Sequence, residues 1–372
     1  MITKEQFEKL VDIELIEEDG KLVYKGNLNL GGRIDVTELP DNLKVFGWLY
    51  LRYSGVTKLP KGLEAEYWLD ISGTEIEELP EDTKLGGGLF VNEMNKPFSF
   101  PKVVKVNNKF ECIDTTIKRM PEELYVNWSC SFSVSTFDKL PKVMVVGHGL
   151  YLYETSITEL PKGLIVGYWF NLVGINLKDY SNLHKVCSKF IIDKKKYNEI
   201  KDSLANHSKR TRGWGEVFVT FEPNYNGAYL FENENGKYIE ADSIFTKIVE
   251  QKGNVYHIQK VGNKEITYLV TDGEGHWSHG DTLEEAKDDL IFKITDGDES
   301  DYEGLTMDSE LSFKDAIVCY RVITGACSFG TRDFIENRLG ENKKDSYTIK
   351  EIIDLTEGEY GNKVFSEFFY RD

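Results

Sequence analysis

Two histidines and an aspartate stand close together in the stretch GEGHWSHGD, residues 273–281. By residue type, His276, His279 and Asp281 are suited to hold a divalent metal, because two imidazoles and a carboxylate are ordinary ligands of zinc or manganese. Their spacing is that of a loop, not the i, i+4 pair that puts two histidines on one helical face. No third histidine lies nearby, so the spacing favours a polar strand-to-helix turn, and no cofactor is expected. Asp296, Asp298 and Asp301 raise calcium in the same way. An EF-hand loop counted from Asp296 needs an acid at its fifth position, glycine at its sixth and glutamate at its twelfth. The chain has Ser300, Asp301 and Met307 there, which leaves a solvated acidic loop. Cys319 and Cys327 are the candidate nucleophiles, but Cys319 falls on the apolar side of a helical pattern, where a thiol behaves as a small hydrophobe. No Walker loop, no G-x-G-x-x-G after a strand, no H-E-x-x-H and no G-x-S-x-G occurs. The chain reads as non-catalytic. An enzyme sited around His276, His279, Asp281 and Cys327 is the rival reading.

A second kind of chemistry is that of contact. Trp48, Tyr50, Trp68, Phe90, Tyr151 and Trp169 are large aromatics that fall at two positions, eight and ten, of one repeat. The repeat is set by Pro40, Pro60, Pro80, Pro101, Pro121, Pro141 and Pro161, at intervals of 20, 20, 21, 20, 20 and 20 residues, each preceded by an apolar residue. Counted from the proline, position nine is Leu49, Leu69, Leu89, Phe110, Cys130, Leu150 and Phe170. Position eleven is Leu51, Ile71, Val91, Cys112, Phe132, Leu152 and Leu172. Two apolar residues flanking one other make a short strand with alternate side chains inward. A single turn cannot bury its apolar row alone, but stacked turns share a continuous core. Positions eight and ten then point outward, and the aromatics there form a surface for a partner. A cover formed by the C-terminal half is the competing use of the same face. Position fourteen carries Ser54, Thr74, Thr115, Ser135 and Thr155, hydroxyls placed to satisfy backbone groups where the chain leaves the strand.

The pattern L-P-x-x-L-x-V-x-x-x-L-x-L-x-x-T-x-I resembles the leucine-rich repeat, most closely its short bacterial L-P type, over residues 21–192. The resemblance implies a solenoid used for protein binding. Two departures stand out. Serine or threonine replaces the ladder asparagine, and an added V-x-G or V-x-N step predicts a second extended segment per turn, as in a β-solenoid.

Around the repeat, residues 1–20 hold a capping helix with Thr3 as its N-cap, and 193–215 a second capping helix, over 193–209, and a linker containing Gly213 and Gly215. Residues 216–295 alternate strand patterns with turns at 235–237 and 261–264, then open a helix after Thr282 and Glu285. The segment Asn254–Ile294 resembles the HicB-type antitoxin domain, and from that resemblance no functional residue is carried over. Residues 296–372 are an acidic loop and a helical tail, with helices over 312–324, 331–339, 348–356 and 360–369. The fold class expected is α+β: a leucine-rich-repeat-like β-solenoid, then a small antiparallel α+β domain with a helical tail.

Charge limits the partners. The net formal charge is −18; residues 1–200 hold 25 basic and 29 acidic side chains, and residues 201–372 hold 20 and 34. A nucleic-acid binder presents a basic face, so direct binding of nucleic acid is not expected, whereas mimicry of DNA by the acidic half is a third reading. No stretch has the ~18 apolar residues of a membrane span, and five cysteines without C-x-x-C spacing point to a reducing cytoplasm. The function expected is binding of another protein through the aromatic face, in the manner of a bacterial or phage inhibitor or sequestering factor.

Overall fold

In the computed structural model the described residues are 2–211, 216–233, 236–261, 263–294, 299–326, 328–340 and 343–370. Asp296, Asp298, Cys327, Gly213, Gly215, Asn235 and Gly262, singled out above or lying in the turns named there, fall outside them. The chain divides into two compact units. One comprises residues 1–222 with the short segments 231–236 and 260–263; the other comprises 223–230, 237–259 and 264–372.

The first unit is a β-solenoid of about eight turns. Leu49–Tyr50, Leu69–Asp70, Leu89–Phe90 and Phe110–Glu111 pair in parallel, residue for residue, followed by Ser129–Ser131, Gly149–Tyr151 and Gly163–Asn171. Leu49 therefore lies on Leu69 and Leu150 on Phe170 in successive rungs, and all four are fully buried. The V-x-G step forms a second parallel sheet: Lys21–Tyr24, Leu43–Val45, Glu64–Ala65 and Lys84–Leu85, then Val103–Val106, Glu123–Val126, Val143–Val146 and Gly163–Asn171. Lys84–Leu85 and Val103–Val106 are not paired, so this sheet is interrupted. The interruption falls in the one turn of 21 residues. Both sheets meet a third, minor side, where Phe98–Ser99 pairs with Ile117–Arg119.

The corners explain the remaining periodicity. All five position-fourteen hydroxyl residues are buried. Thr74 and Thr155 donate to the carbonyls of Ile71 and Leu152, and Ser135 donates to Cys112 O of the preceding rung. The residue just before them is left-handed in turn after turn: Tyr53, Glu93, Asp114, Val134 and Glu154 have φ of 50–60°, and Gly73 and Gly174 fill the same place. This conformation costs an L-residue about 1–2 kcal/mol, and a β-branched side chain suits it least. Val134 is 43 % exposed and lies outside the buried core, so Val134→Gly removes little packing. After about 0.5–1 kcal/mol is returned to the freer unfolded chain, a net gain of about 0.5–1 kcal/mol is expected, read as a higher denaturant midpoint. A lower midpoint would contradict the strain.

The N-terminal end is closed by helix Lys4–Val11, whose capping box joins Thr3 and Gln6, and by Ile16–Glu18 paired antiparallel to Lys21–Tyr24. At the other end the expected helix over 193–209 is shorter: Lys194–Ile200 is helical, with a single tight turn at Lys201–Ser203. His207–Thr211 is a strand instead, paired with Glu216–Phe221, which in turn runs antiparallel to the last rung, Cys187–Asp193. The alternation in EVFVTF supplies that rung with an apolar inner row, Val217, Val219 and Phe221.

The second unit contains most of an antiparallel sheet whose strands are neighbours in chain order, from Tyr229–Asn233 to Trp277–Gly280. Helix Leu283–Ile294 follows. Glu285 N–H donates to Thr282 Oγ1, and the Glu285 carboxylate accepts from Asp281 N–H. The tail packs Phe313–Thr324, Ile349–Leu355 and Asn362–Phe369 around Cys319, Tyr320, Ile323 and Phe365. Ser312 and Thr348 cap their helices, and Gly325 ends the first in the left-handed conformation.

Candidate interaction surface

The aromatic residues of the strand face are brought together on the three turns that start at Pro40, Pro60 and Pro80. Rungs in a parallel sheet lie about 4.8 Å apart, close to the thickness at which rings stack. Trp48 and Trp68 have centroids 5.9 Å apart, and Trp68 stacks on Phe90 at 5.0 Å. Phe90 is at position ten, not eight, yet it joins this column because position eight of its turn is Gly88. A Cβ at Gly88 would sit 3.3 Å from the Phe90 ring, so the ring occupies the place left open. Tyr50 meets Trp48 edge-on at 5.6 Å. Burial, and secondly the Asp70 carboxylate, push the Tyr50 phenol above its ordinary pKa.

Three further aromatics extend the patch and were not singled out by position eight or ten. Phe46 and Trp48 are each 40 % exposed, Tyr53 49 % and Tyr67 58 %. Their signal in the sequence is the corner: Phe46 is at position six, where most other turns carry glycine or asparagine, and Tyr67 is at position seven, which Trp128, His148 and Tyr168 occupy in later turns. Tyr53 is held in place. Its ring lies across Gly73, where a Cβ would come within 2.1 Å of it, and its hydroxyl reaches the Glu93 carboxylate two rungs away. Arg52 bonds the same carboxylate at 3.4 Å and lies 5.0 Å from the Tyr53 ring centre.

Tyr151 and Trp169 are placed differently from the first group. The Tyr151 ring folds over Gly149, whose Cβ would be 3.0 Å away. Trp169 takes Phe218 edge-on at 5.6 Å, so the strand beyond the last rung occupies part of it. A second column runs along position seven: Trp128 on His148 at 4.2 Å, His148 on Tyr168 at 5.0 Å, and the Lys189 ammonium 3.8 Å above Tyr168. This column was not singled out in the sequence; its signal is the 20-residue spacing of Trp128, His148 and Tyr168. On the other sheet, the outward-facing Val143, Val145 and Ile165 of the last turns are buried, and Asn233 donates to Gly163 O at 3.2 Å.

The histidine stretch does not assemble a site. His279 is fully buried in the strand Trp277–Gly280, opposite Leu269. His276 is exposed, with its Nδ1 2.5 Å from the Asp272 carboxylate. Asp281 is paired with Arg332. Among the described residues, no three His, Cys, Asp or Glu side chains are grouped to hold a metal. Cys319 is buried in the helical core, and burial pushes its thiol up to about 12, away from the thiolate a nucleophile requires. No described helix is long and apolar enough to cross a membrane.

No family model, curated protein or solved structure matches this chain.

Proposed function

We propose that the protein binds another protein, without catalysis, through the aromatic face of the three turns that start at Pro40, Pro60 and Pro80. The observation that carries this reading is the set Phe46, Trp48, Tyr53 and Tyr67, each at least 40 % exposed, with Arg52 5.0 Å from the Tyr53 ring centre. Trp, Tyr and Arg are the residue types that dominate binding hot spots. The geometry favours a protein over a flat ligand. Rings stacked along the rod spend their faces on each other and offer their edges, which suit packing by side chains and by backbone carbonyls. The repeat pattern supports kinship with the short leucine-rich repeats. The hairpin-to-helix join supports a HicB-like second unit, and together they suggest a cytoplasmic sequestering factor of bacterial or phage type; this last step is fold-level analogy.

Affinity capture from the native host tests the proposal, with Trp48→Ala combined with Tyr67→Ala. Two hot-spot truncations at about 2 kcal/mol each should lower recovery of the partner more than tenfold while the melting curve stays near that of the parent. Undiminished recovery would defeat it. Tyr151→Ala, outside the patch, should capture normally.

A further inference from the structure

A cleft of about 450 Å³ opens on one face of the second unit's sheet, lined by Tyr225, Leu230, Lys237, Ile248, Gln251 and Tyr256 among others. Its origin is a β-bulge. Strand Ile244–Lys252 pairs Ile248 with Ile258 and then Glu250 with His257, so Val249 is an unmatched extra residue. Bulges bend a strand and re-aim the side chains beside them, and they recur next to binding sites. The floor is firm, because Tyr225, Leu230 and Ile248 pack on a buried cluster that includes Tyr256, Ile258, Leu269 and Trp277.

Polar groups converge on this apolar floor. Tyr256 is almost fully buried, and its hydroxyl lies 3.2 Å from that of Tyr225, to which it donates; Gln251 Nε2 donates to Tyr256 at 2.8 Å. Tyr225 therefore keeps its own proton to give. Burial, and then the Tyr225 hydroxyl, push the Tyr256 phenol up, so it stays protonated. The charges at the rim are unequal. Glu250 is engaged by Lys252 and His257, each at 3.0 Å. Lys237 has no ion-pair partner among the described residues. A partly apolar cleft of this size, with the Tyr225 hydroxyl left to donate and one cation unpaired among the described residues, has the make-up of a small-molecule site.

We infer that this cleft binds a small amphipathic carboxylate, its apolar body on Ile248, Leu230 and Tyr256 and its carboxylate between Lys237 and the Tyr225 hydroxyl. The site is separate from the aromatic surface of the solenoid and does not depend on it. Calorimetric titration of the full chain with phenylbutyrate, and with phenylbutanol as its uncharged counterpart, tests the inference. One equivalent of phenylbutyrate should bind saturably below about 1 mM, and phenylbutanol more weakly. Lys237→Met keeps most of the aliphatic stem and should weaken phenylbutyrate about tenfold, the worth of one charge-assisted contact, with phenylbutanol unchanged. Ile248→Trp fills the cleft and should abolish both, in a protein whose circular dichroism matches the parent. Absence of saturable binding would overturn the inference, as would equal affinity for the two probes. So would an unchanged affinity for phenylbutyrate in Lys237→Met, or undiminished binding in Ile248→Trp.

Discussion

Lys293→Met is expected to lose about 3–5 kcal/mol of stability at neutral pH, the range for removing one partner of a buried ion pair. Lys293 is almost wholly enclosed. Its ammonium pairs with the buried Asp242, donates to Trp277 O at 2.7 Å and lies 5.1 Å from the centre of the Tyr360 ring. These contacts tie together the turn after strand Gly236–Ala241, the last strand of the sheet, helix Leu283–Ile294 and the approach to the final helix. Methionine retains the length and apolar volume, so the loss comes from the stranded carboxylate. Burial raises Asp242 above its ordinary pKa, while the Lys293 charge chiefly, with His276 and the Tyr360 hydroxyl, holds it back. A carboxyl raised in the folded state favours folding below its unfolded pKa, and that contribution is lost as pH climbs through the folded value. Without Lys293 the folded value rises further and the window widens toward neutrality. The variant should therefore come closest to its parent near pH 4 and fall furthest behind near pH 7. Urea titrations at the two pH values decide it, and an equal deficit at both would show that the loss is only packing. Asp242→Asn in the same chain should recover part of the loss, because the two sites are directly coupled.

The periodic half of the molecule was largely legible, because a solenoid is specified by local repetition. Proline spacing gave the turn length, positions nine and eleven the buried column, and the V-x-G step the second sheet. Position fourteen hydroxyls were readable as backbone partners because Ser and Thr have little else to do at a corner. Other features depend on what lies beside a strand and not on the strand itself. His207–Thr211 has the polar composition of a helix end, and only the neighbouring Glu216–Phe221 makes it a strand. The burial of Val143, Val145 and Ile165 left a trace in the runs VMVV and LIV, which lack the alternation of a half-exposed strand, though nothing local says what covers them. The histidine stretch misleads for the opposite reason. In extended backbone, residues three apart point to opposite faces, so His276 and His279 diverge however close they stand in sequence.

Phe110→Ala should cost about 3–5 kcal/mol and, more tellingly, should split the unfolding of the solenoid in two. Phe110 is fully buried, between Phe100 at 5.5 Å and Phe132 at 5.3 Å, in a cluster that continues to Phe98 and Phe137. Truncating a buried phenylalanine removes its burial and leaves a cavity that a packed core closes only in part. The place of this residue in the rod gives the second effect. Each turn of a solenoid touches only its neighbours, so cooperativity is carried from interface to interface. Between the 21-residue turn and the one after it, the second sheet is interrupted, and the two turns are joined there by the short pairings of Leu89–Phe90 with Phe110–Glu111 and of Phe98–Ser99 with Ile117–Arg119. The phenylalanine cluster, Phe98, Phe100, Phe110, Phe132 and Phe137, stands at that joint. With Phe110 gone, the turns up to Phe90 and those after Phe132 should unfold at separate denaturant concentrations. Hydrogen exchange resolved by peptide should show protection falling first in residues 89–132 while Leu49 and Leu69 remain protected. A single transition, shifted but undivided, would mean that cooperativity crosses the joint by another route, and the phenylalanine cluster would then be packing alone.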